Sequence, residues 1–235
     1  MLSIERYEII MKFLEERKNI EISDIVSELN ISEATARRDL NFLEKKGKLK
    51  RVHGGAILLE RSSEDTLDYK KLVHLEAKEI IAKKASSFVK NGYTVFLDAG
   101  STTEVLIKYL KDKKDIKVVT NGYSHIQELV NQGIESYLLG GKIKNITGAV
   151  VGITAMFTLK NYNFDVVFIG ANAVDKNGYS TPDSEEVLVK TEAIKRGKKV
   201  YFLCDSSKIN KKSFIYFAPL KDGVLITEKD ENKNF

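Results

Sequence analysis

Glycine, hydroxyl and charged residues follow the apolar segments in the C-terminal part of the chain. The densest group is Asp98–Glu104 (Asp-Ala-Gly-Ser-Thr-Thr-Glu), directly after Val95–Leu97. Glycine lets a backbone approach a ligand, and a helix beginning at Ser101 presents free N–H groups, a positive dipole end and hydroxyls to an anion. The group therefore predicts a phosphate site. A capping box of Ser101 with Glu104 is the alternative, and it is compatible with that site.

Residues of the same types follow the other apolar segments. Ligands of open α/β sheets bind beyond the carboxyl ends of the strands, so these residues are candidates for one site. The candidates are Asp98, Gly100, Ser101, Thr102, Thr103, Thr120, Asn121, Gly140, Gly141, Lys142, Gly170, Asn172, Glu185, Lys190, Asp205 and Lys208. Lys208 is a cation able to reach the phosphate. Gly140-Gly141 serves either a turn or ligand approach, and Glu185, Glu186 and Lys190 line either a solvated helix face or the site.

Nucleophilic and metal chemistry have weaker candidates. Cys204 is the only cysteine, so a disulfide framework and a multi-cysteine zinc site are excluded. It ends an apolar segment, where a core position is expected. His74 and His125 have no metal-ligating partner at a suitable spacing. We therefore expect no catalytic residue, no metal and no cofactor.

A basic segment lies near the N-terminus. The whole chain has a net charge of +5 and a pI of about 9.0. Residues 37–51 alone contain seven positive and two negative charges. Charge alone is compatible with a solvated helix face, so the hydrophobic periodicity decides. Ala36, Leu40 and Leu43 share one helical face, and the basic residues lie opposite.

Three helices and a hairpin are predicted around this segment. The first helix has the apolar stripe Ile9–Leu14, the second covers Ile22–Leu29, and the third runs from a cap at Ser32 to about Lys46. Leu49–Val52 and Ala56–Leu59 flank Gly54-Gly55, as strands flank a tight turn. This order is typical of a winged helix-turn-helix, which we assign to residues 1–60, with a polar linker over 61–74.

A recognition helix reaches base edges with its early turns, and a wing contacts phosphate or the minor groove. Arginine suits both base and phosphate contacts, and the sequence leaves open which arginine makes which. The expected DNA-binding residues are Ser32, Glu33, Thr35, Arg37, Arg38, Asn41, Lys48, Lys50, Arg51 and His53.

Residues 75–235 alternate helical patterns with six apolar segments, which indicates an α/β domain with a mostly parallel sheet. The segments are Val95–Leu97, Val118-Val119, Tyr137–Leu139, Val166–Ile169, Val200–Leu203 and Val224–Ile226. Composition is that of a globular protein, with 43% hydrophobic and 30% charged residues. No stretch predicts a membrane helix or a signal peptide, so we expect a soluble, cytoplasmic protein.

These motifs together resemble the DeoR family of bacterial transcriptional repressors over essentially the whole chain. Ser32–Leu40 and Leu49–Ala56 look like the family's signature helix and wing. The C-terminal resemblance rests on Asp98–Thr103, Thr120-Asn121, Gly140-Gly141, Phe168–Asn172 and Asp205–Lys208. It implies a sensor domain similar to ribose-5-phosphate isomerases and CoA transferases, in which a phosphorylated sugar relieves repression of a sugar-utilisation operon.

Three motifs look most like the fructose-operon branch of that family: Leu138–Gly141, Thr147–Ala149 and Thr181–Asp183. They suggest fructose 1-phosphate as the effector, with tagatose and other hexose phosphates as competitors. One position departs from the family, because many relatives have Gly-Ala-Asp-Gly where this chain has Gly170-Ala171-Asn172-Ala173. Asn172 keeps hydrogen-bonding capacity but loses the charge, which counts against isomerase chemistry.

The expected partners are double-stranded operator DNA and a phosphorylated sugar, with no membrane. Helix-turn-helix proteins read symmetric operators as oligomers, so a homodimer or homotetramer is expected. Two alternatives remain. One is a sugar-phosphate isomerase-like enzyme with a fused DNA-binding module, and the other is a protein that binds nucleic acid without sequence preference.

Overall fold

A computed structural model of the chain describes residues 1–59 and 64–229. The chain divides into two compact units, Met1–Val73 and His74–Phe235. Over the described residues, no helix is long and apolar enough to cross a membrane.

The first unit contains the three predicted helices and the predicted hairpin. Its elements are α1 (Ser3–Arg17), β1 (Asn19–Glu21), α2 (Ile22–Leu29), α3 (Glu33–Lys45), β2 (Leu49–Val52), β3 (Gly55–Leu58) and α4 (Leu67–Leu72). β2 and β3 pair antiparallel, which confirms the hairpin. The sequence did not predict β1, which pairs antiparallel with β3 and makes a three-stranded sheet in the order β1-β3-β2.

The position of α3 follows from its apolar face and its cap. The Ser32 side chain accepts a hydrogen bond from the Thr35 N–H at 3.3 Å. Ala36, Leu40 and Leu43 are fully buried among side chains of α1 and α2, as predicted. Asp39 is also buried, and its carboxylate accepts two hydrogen bonds from Arg6 of α1, at 2.6 and 3.1 Å. This ion pair fixes α3 against α1.

The segment predicted as a linker over 61–74 contains α4. Its first part, residues 61–63, lies outside the described residues, as does residue 60. Thr66 caps α4 by accepting from the Tyr69 N–H at 3.3 Å. Tyr69 and Val73 are buried in the core of the first unit. A helix forms here although the segment begins with polar residues, because Tyr69 packs into the core and Val73, the residue that follows the helix, is buried beside it.

The second unit is built on one six-stranded sheet. Its helices are α5 (Leu75–Ser86), α6 (Ser101–Ile107), α7 (His125–Asn131), α8 (Ile153–Leu159) and α9 (Ser184–Arg196). The sheet strands are β4 (Thr94–Leu97), β5 (Lys117–Thr120), β6 (Glu135–Leu138), β9 (Val166–Gly170), β12 (Val200–Leu203) and β14 (Val224–Ile226). They lie in the order β14-β12-β9-β4-β5-β6, and every neighbouring pair is parallel. The six apolar segments therefore form the predicted parallel sheet.

Shorter strands lie outside this sheet. They are β7 (Lys142–Ile143), β8 (Val150–Val151), β10 (Ala173–Asp175), β11 (Gly178–Thr181) and β13 (Ile215–Ala218). β7 and β8 form an antiparallel pair, and β10, β11 and β13 form an antiparallel sheet.

Alternate residues of the central strands feed two apolar layers. In β9, Val167 and Ile169 belong to one cluster of buried side chains, whereas Val166 and Phe168 belong to the other. This explains the near-continuous apolar segments, since a strand buried on both faces has no polar side. Cys204 lies fully buried in the first cluster, and burial raises its pKa to about 11. The predicted core role of Cys204 is confirmed.

Candidate functional site

The carboxyl ends of the parallel strands place the predicted ligand-binding residues along one edge of the sheet, here called the carboxyl edge. Asp98 follows β4, Asn121 follows β5, Gly170 ends β9, and Asp205 lies two residues beyond β12. The strands run in the same direction, so these residues all lie at the same edge. The sequence prediction of a common edge is confirmed for them.

Asp98 and Lys190 form a buried ion pair at the centre of this edge. Their exposed fractions are 2% and 3%. The Lys190 Nζ donates to the Asp98 carboxylate and to the Gly170 carbonyl at 2.9 Å. The Gly170 N–H donates to the Asp98 Oδ2 at 3.0 Å. Of the two alternatives for Lys190, a solvated helix face is therefore wrong, because α9 directs its side chain into the carboxyl edge.

Burial raises the pKa of the Asp98 carboxyl, while the Lys190 ammonium and the Gly170 N–H act in the opposite direction. A buried charge is tolerated only when it is paired and hydrogen-bonded, and both conditions hold here. The pair therefore presents one anionic and one cationic group in a fixed geometry.

The ion pair continues into a network that the sequence did not predict. Glu186, one turn before Lys190 on α9, lies 3.9 Å from its Nζ and accepts from the Thr181 hydroxyl at 3.2 Å. Lys144 bridges Glu186 at 3.1 Å and Asp183 at 2.7 Å. The i,i+4 spacing of Glu186 and Lys190 was a sequence signal. Nothing comparable pointed to Lys144, which lies 42 residues from Glu186.

Several of the predicted site residues hydrogen-bond to the backbone at the carboxyl edge. The Thr120 hydroxyl donates to the Leu97 carbonyl at 2.7 Å and accepts from the Gly122 N–H at 2.9 Å. The Asn121 Oδ1 accepts from the Ala99 N–H at 2.8 Å. Thr103 is fully buried, and its hydroxyl donates to the Asp98 and Gly100 carbonyls at 2.6 and 2.8 Å. These hydrogen bonds hold the loops at the edge, and a direct contact of these side chains with a ligand stays a prediction.

His125 also supports the loop before α6. Its Nδ1 lies 2.9 Å from the Thr120 hydroxyl and its Nε2 lies 3.3 Å from the Gly100 carbonyl. A Cβ added at Gly122 would lie 2.7 Å from the imidazole ring. The His125 ring therefore leaves room only for glycine at position 122. Its two nitrogens connect Thr120 of β5 with the Gly100 loop.

The first turn of α6 presents the predicted anion-binding group. Gly100 is the N-cap residue, and no side chain caps this helix. The Glu104 carboxylate instead accepts from the Ser124 hydroxyl at 2.8 Å. The capping box with Ser101 as the N-cap residue is therefore wrong, because Gly100 takes that position and has no side chain with which to cap the helix. Ser101 and Thr102, in the first turn of α6, are buried, with 7% and 5% of their surface exposed.

Asp205 and Lys208 lie together beyond β12. The Lys208 ammonium lies 3.3 Å from the Asp205 carboxylate. The Ser207 N–H donates to the same carboxylate at 3.1 Å. Burial opposes ionisation of Asp205, but Lys208 and the Ser207 hydroxyl outweigh it and lower its pKa to about 2. Lys208 is therefore an ion-pair partner within this loop, and its contact with a phosphate stays a prediction.

The remaining predicted residues lie nearer the surface. Lys142 pairs with Glu185 at 2.7 Å, with both side chains well exposed. Gly141 has φ +155°, and an added Cβ would lie 2.9 Å from the Val151 carbonyl oxygen, so it is required by packing of the β7–β8 pair. Gly140 is exposed with open space around it. Asn172 is half-buried, and its N–H donates to the Ser180 carbonyl at 3.1 Å.

The predicted DNA-binding residues of α3 form an exposed face. Arg37, Arg38 and Asn41 are exposed opposite the buried face. Arg37 donates to Glu33 at 2.9 Å. The Ser32 and Thr35 hydroxyls lie 2.9 Å apart. Both are therefore at the N-terminal end of α3.

The wing adds further basic residues, one of which is held by an ion pair. Lys50 and His53 are exposed, and Arg51 donates to Asn41 of α3 at 2.5 Å. Lys48 behaves differently, because its ammonium pairs with Asp65 and lies 4.0 Å from the centroid of the Tyr69 ring. Lys48 therefore anchors the segment before α4, and its contact with DNA stays a prediction. Among the described residues, no cluster of ligating side chains could hold a metal ion.

Comparison with known proteins covers both units. The family model of the DeoR C terminal sensor domain matches residues 73–229, and that of the DeoR-like helix-turn-helix domain matches residues 6–62. The chain is 42% identical to the "Uncharacterized HTH-type transcriptional regulator FruR" of Bacillus subtilis (strain 168), over 100% of this chain and 94% of that protein. It is 34% identical to the lactose phosphotransferase system repressor of Streptococcus mutans serotype c, over 97% of this chain and 94% of that protein.

Among solved structures, a D-ribose-5-phosphate isomerase in complex with phospho-erythronic acid aligns with 57% of this chain and 54% of its own. The identity is 22% and the TM-score 0.44. The expected similarity to CoA transferases stays a prediction.

Proposed function

The chain belongs to the DeoR family of transcriptional regulators, and on that premise we propose that it represses a sugar-utilisation operon until a phosphorylated sugar binds its second unit. The single observation that carries the sugar-phosphate part is the carboxyl edge. There a buried Asp98–Lys190 pair lies at the same edge as a helix start without a side-chain cap.

The first unit supplies the DNA contact. α3 turns its apolar face inward and exposes Arg37, Arg38 and Asn41, which is the geometry a recognition helix needs to enter the major groove. The exposed wing residues Lys50 and His53 contact phosphate or the minor groove beside it. Phosphate contacts give affinity and salt dependence, whereas arginine contacts to guanine give sequence preference.

The second unit has the two kinds of groups that a sugar phosphate requires. The N–H groups of the first turn of α6, with the Ser101 and Thr102 hydroxyls, receive the phosphate. Asp98 accepts from sugar hydroxyls and Lys190 donates to them, and Asn172 offers a neutral amide at the same edge. A purely apolar ligand would cover the polar groups at this edge without offering them hydrogen bonds, which is costly.

We assign fructose 1-phosphate as the first effector to test, with tagatose and other hexose phosphates as competitors. The assignment rests on Leu138–Gly141, Thr147–Ala149 and Thr181–Asp183. It is supported by the name FruR of one relative and by the phosphotransferase system in the name of another. No cofactor is required for this function. The protein acts in the cytoplasm, as a homodimer or homotetramer on double-stranded operator DNA.

Thermal-shift screening against a panel of sugar phosphates tests the sensor. A ligand at 100 times its Kd stabilises the native state by about 2.7 kcal/mol, which a melting curve resolves. We expect fructose 1-phosphate to raise Tm and free fructose to leave it unchanged. If no sugar phosphate raises Tm, the sensor part of the proposal fails.

Footprinting on the protein's own upstream region tests the DNA contact. Protection of a discrete site supports the repressor. Equal binding to all duplexes with one common salt slope would instead identify a protein without sequence preference. A turnover assay on ribose 5-phosphate and ketohexose phosphates, with Glu185→Gln as control, addresses the isomerase-like alternative. Catalysis that the control loses would overturn the repressor assignment.

A further inference from the structure

The turn between β7 and β8 contains a buried hydroxyl group, that of Thr147. The turn comprises residues 144–149 and is here called the 144–149 turn. Two hydrogen bonds of 2.8 Å close it, from the Gly148 N–H to the Lys144 carbonyl and from the Lys144 N–H to the Ala149 carbonyl. Thr147 is 8% exposed, and within the described part of the chain its hydroxyl has no hydrogen-bond partner. Because an unpaired buried hydroxyl destabilises a fold, this group is a candidate ligand contact.

One end of the 144–149 turn is fixed at the carboxyl edge, beside β5. The Tyr123 N–H donates to the Gly148 carbonyl at 3.1 Å, and the Val150 N–H donates to the Asn121 carbonyl at 2.7 Å. The Asn121 side-chain amide donates back to the Val150 carbonyl at 3.3 Å. Asn121 directly follows β5, and its Oδ1 also accepts from the Ala99 N–H. The turn therefore packs against the loop after β5 and is linked through Asn121 to the loop after β4.

Lys144 fixes the other end of the turn to α9. Its ammonium lies 2.7 Å from the Asp183 carboxylate and 3.1 Å from the Glu186 carboxylate. Asp183 caps α9 by accepting from the Glu185 and Glu186 N–H groups at 2.7 and 3.0 Å. Glu186 in turn lies 3.9 Å from the Nζ of Lys190. Lys144 therefore joins the 144–149 turn to the part of α9 that supplies the buried ion pair of the carboxyl edge.

The charge of Lys144 is occupied by these contacts, so the residue anchors the turn and does not serve as a cation for a phosphate. Its side chain is 13% exposed, and two carboxylates share its ammonium. Burial opposes ionisation of Asp183, but its hydrogen bonds with Lys144 and with the start of α9 outweigh burial and lower its pKa. An ammonium held between two carboxylates has no surplus charge with which to attract a further anion.

The charges at this end of the site favour the uncharged part of a ligand. The ion pairs that connect β7, the turn, α9 and the carboxyl edge contain four carboxylates and three ammonium groups. These groups belong to Asp98, Asp183, Glu185, Glu186, Lys142, Lys144 and Lys190. A surplus of carboxylates repels a phosphate, whereas carboxylate oxygens accept hydrogen bonds from hydroxyl groups. The part of a sugar phosphate that suits the 144–149 turn is therefore the sugar, with the phosphate at the start of α6.

From these observations we infer that the Thr147 hydroxyl contacts a hydroxyl of the bound sugar, and that Lys144 is the positioning residue that holds Thr147 there. The inference rests on the proposed function, since it assigns the sugar end of the ligand whose phosphate lies at α6. A threonine hydroxyl both donates and accepts, as a sugar hydroxyl does. Sites that hydrogen-bond a ligand hydroxyl discriminate against ligands that lack it. Thr147 therefore makes the sensor selective for the sugar and not for phosphate alone.

Calorimetric titration and melting curves of Thr147→Val test the contact. The variant keeps the shape of the side chain and removes its hydroxyl. The Kd for fructose 1-phosphate, or for the hexose phosphate that the thermal-shift screen identifies, is therefore expected to rise by about 2-fold to 10-fold. Without ligand, Tm is expected to be equal or higher, because a buried group without a partner has been removed. Thr154→Val, the same change at an exposed position of α8, is the control and leaves the Kd unchanged.

A lower Tm of Thr147→Val without ligand would show that the hydroxyl serves the fold, and it would overturn the contact. An unchanged Kd would overturn it as well. An unaltered chain that binds no sugar phosphate would refute the proposed function itself. A sugar phosphate that both chains bind equally well would refute only the contact of Thr147, so the two failures are distinguishable.

A double-mutant cycle tests the role of Lys144. Lys144→Met is expected to raise the same Kd, and Thr147→Val is then expected to raise it little further, because the turn no longer holds the hydroxyl in place. Lys144→Arg keeps the charge and is expected to retain the affinity. Lys176→Met, the same change at an exposed position after β10, is the control. Additive losses in the double variant, or equal Kd values for Lys144→Met and Lys176→Met, overturn the positioning role.

Discussion

At the scale of single residues, the Asp98–Lys190 pair has a stability role beside the ligand role that we propose for it. Both groups are nearly inaccessible to water, and removal of one partner leaves the other charged and unpaired. Breaking a buried pair in this way costs about 3–5 kcal/mol, whereas removal of both partners together often costs less. The pair is therefore kept as a unit, and its geometry is fixed before any ligand arrives.

We expect Lys190→Met to lower the free energy of unfolding by about 3–5 kcal/mol and to abolish the thermal shift by sugar phosphates. Asp98→Asn/Lys190→Met is expected to regain part of the stability but not the ligand response. Urea unfolding of the two single variants and the double variant measures the coupling. Lys195→Met, at an exposed position of the same helix, is the control. If the double variant lost as much free energy of unfolding as the two single variants together, the pairing would be contradicted.

Asp205 predicts an acid-dependent loss of stability. Burial opposes its ionisation, but Lys208 and the Ser207 hydroxyl lower its pKa to about 2, whereas an unfolded aspartate titrates near 3.9. Its carboxylate therefore stabilises the fold above about pH 4 by roughly 2 kcal/mol, and this contribution is lost as the pH falls towards 2. We expect the free energy of unfolding of Asp205→Asn to depend less on pH over that interval. If the free energies of unfolding of the variant and of the unaltered chain changed equally with pH, this prediction would be wrong.

Arg38 is the α3 residue best placed to contact DNA, because it is exposed beside Arg37, which already pairs with Glu33. We expect Arg38→Ala to weaken operator binding by about 1–3 kcal/mol. A base contact would show as lost preference for the operator over a scrambled duplex, and a phosphate contact as equal loss on both. Fluorescence anisotropy measures both affinities. Lys12→Ala, which removes the same charge from exposed α1, is the control, and equal affinities for both variants would exclude Arg38 from the contact.

At the scale of elements, the wing depends on the close approach of β1 to β3. An added Cβ at Gly55 would collide with the Ile20 carbonyl oxygen, whereas Gly54, at φ +81°, has open space around it. We expect Gly55→Ala to cost about 3 kcal/mol by forcing the strands apart. Gly54→Ala strains only its own backbone, by about 1–2 kcal/mol. Thermal unfolding compares the stabilities of the two variants. A Gly55→Ala variant more stable than Gly54→Ala would contradict the strand contact.

The elements differ in how far the sequence predicts them. The six parallel strands were predictable because burial on both faces makes each one a continuous apolar segment, as in Val166–Gly170. β1 was not, because its three residues, Asn19–Glu21, bury only Ile20 and depend on distant β3 for pairing. For the same reason the Lys144–Glu186 contact was not predictable: it joins residues that only the fold brings together.

Within the site, the sequence identified the residue types at the strand ends but not their separate roles. Asp98 and Lys190 proved to be directly paired. Thr103, Thr120 and Asn121 have their polar atoms turned towards loop backbone. A sequence pattern places a residue at an edge, whereas the direction of its side chain depends on packing. Lys48 illustrates the same limit in the wing, because Asp65 and Tyr69 hold it.

At the scale of the whole molecule, regulation requires a coupling free energy between the two binding sites. We propose that the segment between residues 60 and 90, with α5, transmits it. Typical couplings are about 1–3 kcal/mol, or about 5-fold to 150-fold in affinity, and they are reciprocal. A sugar phosphate that weakens operator binding must therefore be bound more weakly by the protein–operator complex, by the same factor.

The most direct test is an anisotropy titration of the operator duplex at several fixed concentrations of fructose 1-phosphate and of competing hexose phosphates. We expect one sugar phosphate to raise the operator Kd by about 5-fold to 150-fold, and Lys190→Met to remove this response while leaving operator affinity without ligand unchanged. An operator Kd that no sugar phosphate alters would contradict it.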